Sequence, residues 1–250
     1  MAKKKCLAII PAYNEEANVG AVIRKVKAQP SVHAVLVVDD CSADGTAEKA
    51  RKAGAIVVTH VANLGYGAAV ETGYKYALER DYDRVVQLDG DGQHEPACIK
   101  DLLRALERGQ ADVVIGSRFL GGHGRYKTPL LRKIGMGFFR LLVRLMTRLT
   151  ITDPTSGFQA MDRRVIRFLI QNRLYPSDYP DADIIMLLHN VGFKIAEVPA
   201  TFYSSTTGQS MHSGLKPLYY VIKMLLSIFT VQFGQFRTFF RRKKTCPPCP

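Results

Sequence analysis

Apolar and polar positions alternate in blocks along the first half of the chain. Short runs rich in Val, Ile and Leu at 6–10, 34–39, 56–59, 84–88 and 112–116 predict strands. None alternates residue by residue, as expected of strands covered on both faces. Amphipathic stretches at 15–29, 44–53, 67–79 and 96–108 predict helices between them. Strand–helix alternation at this spacing predicts a parallel α/β sheet, whose ligands bind beyond the C-terminal ends of the strands. Four polar clusters fall at such ends: Tyr13-Asn14-Glu15, Asp39-Asp40, Asn63-Leu64-Gly65 and Asp89-Gly90-Asp91-Gly92. Gathered on one edge, they would make one site.

The second half reads differently. A long helix is predicted over 128–149, with Leu130, Leu131, Ile134, Phe138, Leu141, Leu142, Leu145 and Leu149 on one face. Arg132, Lys133, Arg140, Arg144 and Arg148 mark another face. The turn residues of 153–158 end that pattern. Helices at 162–171 and 182–190, a strand at 193–202 and a last apolar helix at 216–240 follow. The longest uncharged run of that helix, 224–236, is too short to cross a bilayer but long enough to lie in its interface. No internal repeat is seen. Cys246 and Cys249 form a lone C-x-x-C in the tail, without the partner ligands or thioredoxin context of a metal or redox site; it reads as a disordered tail.

At 250 residues, 47% apolar and 23% charged, the chain is globular and can bury a large core. No apolar run reaches the length of a membrane span, and the N-terminal apolar stretch is a strand rather than a signal peptide. Five cysteines without framework spacing suggest a reducing, cytoplasmic compartment. The net charge of +13 is unevenly placed. Segments 119–152 and 198–250 contain no Asp or Glu and together hold fourteen Lys and Arg. Those basic residues are interleaved with large aliphatics at helical spacing, which favours an anionic membrane surface over nucleic acid.

The chemistry concentrates at 85–94. A buried strand ends in Asp89 and Asp91, and residues i and i+2 of an extended chain point the same way. Gly90 and Gly92 let a ligand or another backbone come close. Two converging carboxylates repel unless a cation lies between them, and hard oxygen donors suit Mg²⁺ or Mn²⁺ with diphosphate oxygens. Gln93 or His94 would add a ligand. A P-loop is absent. A dinucleotide-binding reading of Gly65-Tyr66-Gly67 fails, because Val70 stands where the third glycine belongs.

The ordered series 11–15, 37–46, 63–69, 89–94, 116–119 and 155–158 resembles a family 2 glycosyltransferase of the GT-A fold, closest to the dolichyl- and polyprenyl-phosphate sugar synthases. The resemblance runs from about residue 6 to 202. It implies a Rossmann-like, mostly parallel sheet flanked by helices. A catalytic domain would span 1–212, with the interface helix inserted, followed by a membrane-associated helix at 213–244 and a tail at 245–250. It implies that Pro11, Tyr13, Asn14, Glu15, Asp40 and Gly65 hold the nucleotide sugar together with Asp89, Gly90 and Asp91. Asp89, Asp91 and Gln93 would bind Mg²⁺ or Mn²⁺. Arg118, Arg132 and Ser156 would meet the acceptor phosphate, and Asp91 and Arg118 would act in an inverting hexosyl or N-acetylhexosaminyl transfer. The implied partners are a nucleotide-sugar donor, a polyprenyl-phosphate or other lipid acceptor and the cytoplasmic membrane face, with no nucleic acid. A phosphate acceptor is already anionic and requires no strong base; a hydroxyl acceptor requires one, for which Asp181 or Asp183 is the candidate. That pair equally suits the cap and first turn of a helix. The sequence departs from the pattern where an Arg and a Ser-Lys pair are expected: Ser205 and Ser210-Met211 stand there, with His212 and Lys216 nearby.

Overall fold

The structure is a computed structural model that describes residues 4–121, 130–172, 175 and 182–204. Its core is a seven-stranded sheet: β1 (Cys6–Ala12), β2 (Ala34–Asp39), β3 (Ile56–Thr59), β4 (Arg84–Gln87), β5 (Val113–Ser117), β6 (Gln159–Asp162) and β7 (Ile195–Pro199). The order across the sheet is β3-β2-β1-β4-β6-β5-β7. Every pairing is parallel except those of β6, which runs antiparallel to both β4 and β5. The mostly parallel sheet implied by the resemblance is the one observed, and β6 adds a strand at 159–162, where none was expected and where only Asp162 fell in an expected helix. Among the described residues seven helices flank the sheet: α1 (Val19–Lys27), α2 (Thr46–Lys52), α3 (Tyr66–Glu79), α4 (Ile99–Glu107), α5 (Leu130–Thr147), α6 (Arg163–Gln171) and α7 (Ala182–Asn190). The last apolar helix, the tail, Asp181, Ser205, Ser210, Met211, His212 and Lys216 lie outside the described residues.

The period-two geometry of the strands builds two cores. Cys6, Ala8, Ile10 and Ala12 of β1 face α1 and α4, joining Val22, Ile23, Leu102 and Leu106. Leu7 and Ile9 face α3, α6 and α7, joining Val70, Tyr74, Val165 and Leu187. Each such fully buried aliphatic contributes about 1.5–3 kcal/mol. Gly73 lets α3 lie directly on β1, since a Cβ there would collide with Ile9 Cγ2. α5 is anchored by Phe139 and Val143, which pack on Ala182 and Met186 of α7.

Two boundaries differ from expectation for reasons that shape the site. α1 starts at Val19 instead of residue 15, because side chains hold 14–16 in a non-helical loop: Glu15 N–H donates to Thr46 Oγ1 (2.8 Å) and Asn14 N–H to Ser42 Oγ (2.9 Å). β1 continues through Pro11 to Ala12, paired with β2 throughout, whereas its ladder with β4 stops at Ile9↔Gln87. The last bond on that side runs from Leu88 N–H to Ile9 O. Pro11 has no N–H to extend it, so the chain after Leu88 is released into the Asp89–Asp91 turn.

Candidate active site

The C-terminal ends of β1, β2, β3, β4, β5 and β7 point the same way. Because β6 is reversed, its entry loop, 153–158, reaches that same edge. This edge brings together most of the residues singled out in the sequence.

Asp89 follows β4 and is held from several sides. Its Oδ1 accepts the Tyr66 hydroxyl (2.9 Å), which accepts in turn from Gln87 Nε2 (2.9 Å). Gln87 Oε1 accepts the hydroxyl of Tyr74 (2.9 Å). Gln87 and Tyr74 are buried, so a hydrogen-bonded chain runs from the core to the carboxylate. On the other side, Asp89 N–H donates to His94 Nδ1 (3.1 Å), and His94 Nε2 stands 3.6 Å from Asp89 Oδ2. His94 is stacked on Phe158 and meets Phe202 edge-on, and its burial lowers its pKa to about 4. It is a neutral brace for the turn rather than a group turned outward. The Asp89 side chain keeps 32% of its surface accessible.

Asp91 is gripped by Gln93, whose N–H donates to Oδ1 (2.9 Å) and whose Nε2 donates to Oδ2 (2.8 Å). Gln93 therefore orients Asp91 through its amide nitrogen. Desolvation raises the carboxyl pKa of both aspartates, and repulsion from Asp89 raises that of Asp91 further. Glu15 is raised chiefly by burial, with added repulsion from Asp91 and Asp89. Acidic oxygens thus crowd one spot with too little positive charge around them, and a hard divalent cation fits that donor set. Among the described residues no three acidic, His or Cys side chains close a ligand shell by themselves. Two carboxylates completed by water and phosphate oxygens match the habit of Mg²⁺ or Mn²⁺.

Across the cleft, Arg118 follows β5. Its Nε and Nη2 donate to Oδ2 and Oδ1 of Asp153 (2.7 and 2.8 Å) in a two-pronged pair that is almost wholly buried. Asp153 and Thr152 offer their N–H groups to Glu197 of β7 (2.8 and 2.7 Å). The guanidinium lies 5.1 Å from the Phe202 ring centroid, and its charge acts on Asp89. Gly157 brings the loop before β6 against Asp89, since a Cβ there would stand 2.8 Å from the Tyr66 hydroxyl and 3.3 Å from Asp89 Oδ1. Gly90 similarly admits Glu15 Cγ to 3.6 Å from its own would-be Cβ.

The other expected residues divide. Tyr13 is half exposed at the end of β1, and Asn14, at φ +55°, ties its loop to residues 42 and 43. Pro11 is buried within β1 rather than beyond its end. Asp40 is buried and turned inward: Oδ1 meets His60 Nδ1 (2.7 Å) and accepts Leu64 N–H (2.9 Å), while Oδ2 accepts Gly65 N–H (2.8 Å). It shapes the 60–65 loop, where Gly65 at φ +96° begins α3. Ser156 is buried too, its hydroxyl donating to Gly116 O (2.7 Å). Asp183 is fully buried in the first turn of α7, with Oδ1 accepting Ile184 N–H (2.9 Å). Arg132 lies on α5, and its side chain is outside the described atoms. Sequence reasoning missed Tyr66, Asp153 and Glu197; only the D-P-T-S-G-F turn hinted at the second.

The glycosyl transferase family 2 model matches residues 7–169. The chain is 33% identical over 216 residues to the undecaprenyl-phosphate mannosyltransferase of Micrococcus luteus, covering 84% of this chain and 88% of that one. It is 33% identical over 219 residues to the polyprenol monophosphomannose synthase of Mycolicibacterium smegmatis, covering 84% and 82%. A likeness of fold extends to glucosyl-3-phosphoglycerate synthase of Mycobacterium tuberculosis, crystallised with Mn²⁺, UDP-glucose and phosphoglyceric acid: TM-score 0.72, 21% identity, 93% of this chain and 81% of that chain.

Proposed function

Since the chain belongs to glycosyl transferase family 2, as a hexosyltransferase, we propose that it moves one sugar from a nucleotide-sugar donor to polyprenyl phosphate, with Mg²⁺ or Mn²⁺ bound and with inversion at the anomeric carbon. The observation that carries this reading is the meeting of Asp89, Asp91 and Arg118 at one sheet edge, with Arg118 fixed by Asp153. The names of the two relatives support the lipid-phosphate acceptor.

A phosphate oxygen of the acceptor forms a bond to the anomeric carbon as the bond to the donor's β-phosphate oxygen breaks. The electron pair leaves with the nucleoside diphosphate. The cation, when bound by Asp89 and Asp91, supplies Lewis-acid stabilisation of that leaving group. Arg118, preorganised by Asp153, stabilises the same developing charge from the opposite wall. Gln93 and Tyr66 keep the two carboxylates in place. Tyr13 and Glu15 offer the half-open end of β1 to the nucleotide, and the 60–65 loop shaped by Asp40 borders it. The nucleophile is already an anion, so positioning replaces a general base. Of the two candidate bases for a hydroxyl acceptor, Asp183 has no exposed surface, and Asp181 lies outside the described residues.

The acceptor side is α5. Phe138, Leu141, Leu145 and Met146 are exposed there, Leu145 to 71%, alongside exposed Arg144 and Arg148. An apolar face edged by Arg suits the boundary of an anionic bilayer and supports our reading of peripheral attachment, at the cytoplasmic face. Among the described residues no helix is long and apolar enough to cross a membrane.

The test is transfer of radiolabel from GDP-mannose, UDP-glucose and UDP-N-acetylglucosamine into the organic phase. Label is expected with one donor, with polyprenyl phosphate but not polyprenol, and only without chelator. Transfer to polyprenol or a glycan, or transfer indifferent to chelator, would overturn the reading.

A further inference from the structure

Among the described side chains the site so far holds one Arg, Arg118, and its charge is already balanced by Asp153. A second lies close by on α5. The Arg140 guanidinium carbon sits 4.4 Å from the centroid of the Phe119 ring, and that of Arg118 sits 5.8 Å from the same centroid. The two cations therefore share one aromatic platform directly after β5. Their surroundings differ. Among the described residues no carboxylate comes within ion-pair distance of Arg140, and its Nε is buried with no acceptor. The whole segment 119–152 offers no acid that might supply one. A buried donor on a cation is unfavourable unless an acceptor arrives.

Its place on the helix says which acceptor. Phe139, Val143 and Thr147 form the buried seam of α5, and half-buried Arg140 borders that seam. Phe138, Leu141 and Leu145 occupy the other, exposed side. A ligand meeting Arg140 from the cleft would carry its anionic head beside Phe119 and its apolar portion past α5. The donor's diphosphate belongs instead with Asp89 and Asp91. Resting on the reading of the acceptor as a prenyl phosphate, we propose that Arg140 is a binding residue for the phosphate head of that acceptor, acting beside Arg118 across Phe119. The planar guanidinium suits two-pronged contact with phosphate oxygens. It supplies charge in a chain that carries Ser205 and Ser210-Met211 where cations were expected.

Binding of farnesyl phosphate, farnesol, inorganic phosphate and UDP to the full chain, measured by titration calorimetry, tests this without turnover. Arg140→Gln is expected to weaken farnesyl phosphate at least tenfold while farnesol and UDP change less than twofold, with partial recovery in Arg140→Lys. Farnesyl phosphate bound within twofold of the wild type, or an equal loss of UDP, would overturn the assignment. Inorganic phosphate binding as tightly as farnesyl phosphate would overturn the lipid source. Phe119→Leu removes the shared platform and is expected to lose farnesyl phosphate in the same way, so either variant decides if the other does not fold. A wild type that transfers no sugar to prenyl phosphate, yet binds farnesyl phosphate through Arg140, would sink the proposed reaction and leave this site standing. Transfer with an unchanged acceptor KM in Arg140→Gln would do the reverse.

Discussion

Removing the Tyr66 hydroxyl interrogates the carboxylate cluster without touching a carboxylate. Tyr66→Phe deletes the donor to Asp89 Oδ1 and the acceptor of Gln87 Nε2, both at 2.9 Å. A hydrogen bond to a charged group is worth about 1.5–3 kcal/mol, or roughly 10- to 150-fold. Substitutions behind a metal ligand typically cost about 10- to 100-fold in metal affinity or activity. The expected result is a rise of that order in the Mn²⁺ concentration needed for half-maximal transfer, with a smaller change in donor KM at saturating metal. Gln87 is buried, so its stranded amide should also lower stability by about 1–3 kcal/mol. Tyr74→Phe breaks the chain one link earlier and separates the two effects: it should lower the melting temperature while leaving the metal titration near that of the wild type. An unshifted titration in Tyr66→Phe, or an equal shift in Tyr74→Phe, would refute the positioning role.

Further outcomes test other parts of the molecule. Asp153→Ala leaves Arg118 as a buried, uncompensated charge, which costs about 3–5 kcal/mol; differential scanning calorimetry should show a melting point lower by roughly 10 °C, and an unchanged one would mean that the pair is not buried in solution. Leu145→Asp should weaken sedimentation with anionic vesicles, and high salt should weaken that of the wild type; vesicle binding insensitive to both would remove α5 from the membrane. Burial pushes the Cys6 thiol up to about 12, so at neutral pH it is fully protonated and unreactive, whereas Cys41 is exposed. Alkylation of the native protein followed by peptide mapping should label Cys41 and spare Cys6 until denaturant is added; early labelling of Cys6 would contradict the packing of β1.

What the sequence reveals and what it hides follow from where each residue gets its conformation. The strand at 34–39 falls where the apolar run places it, because a strand covered on both faces writes its burial directly into composition; the strand at 56–59 also falls on its apolar run, although it is the partly exposed edge of the sheet. The pair Asp89 and Asp91 is legible for a similar reason: a carboxylate after a buried strand, repeated two residues on between glycines, has few structural uses. Asp40 shows the limit of such reasoning, since position at a strand end does not say whether a carboxylate turns outward or, as here, onto His60 and the next loop. Tyr66 reads as an ordinary helix-start residue, and its partner Gln87 lies 21 positions away.

Gln159–Asp162 has the least local signal, being four residues with a polar one at each end. It is a strand because β4 and β5 leave a gap of one strand's width between them, with Gln159 opposite Gln87 on one side and Ile115 on the other. That hidden element has the largest consequence for the chemistry. Had it run parallel, residues 153–158 would enter at the far edge of the sheet, away from every other cluster. Reversed, the same six residues bring Asp153 under Arg118 and Gly157 against Asp89, so the wall facing the two aspartates exists only because one strand breaks the parallel pattern.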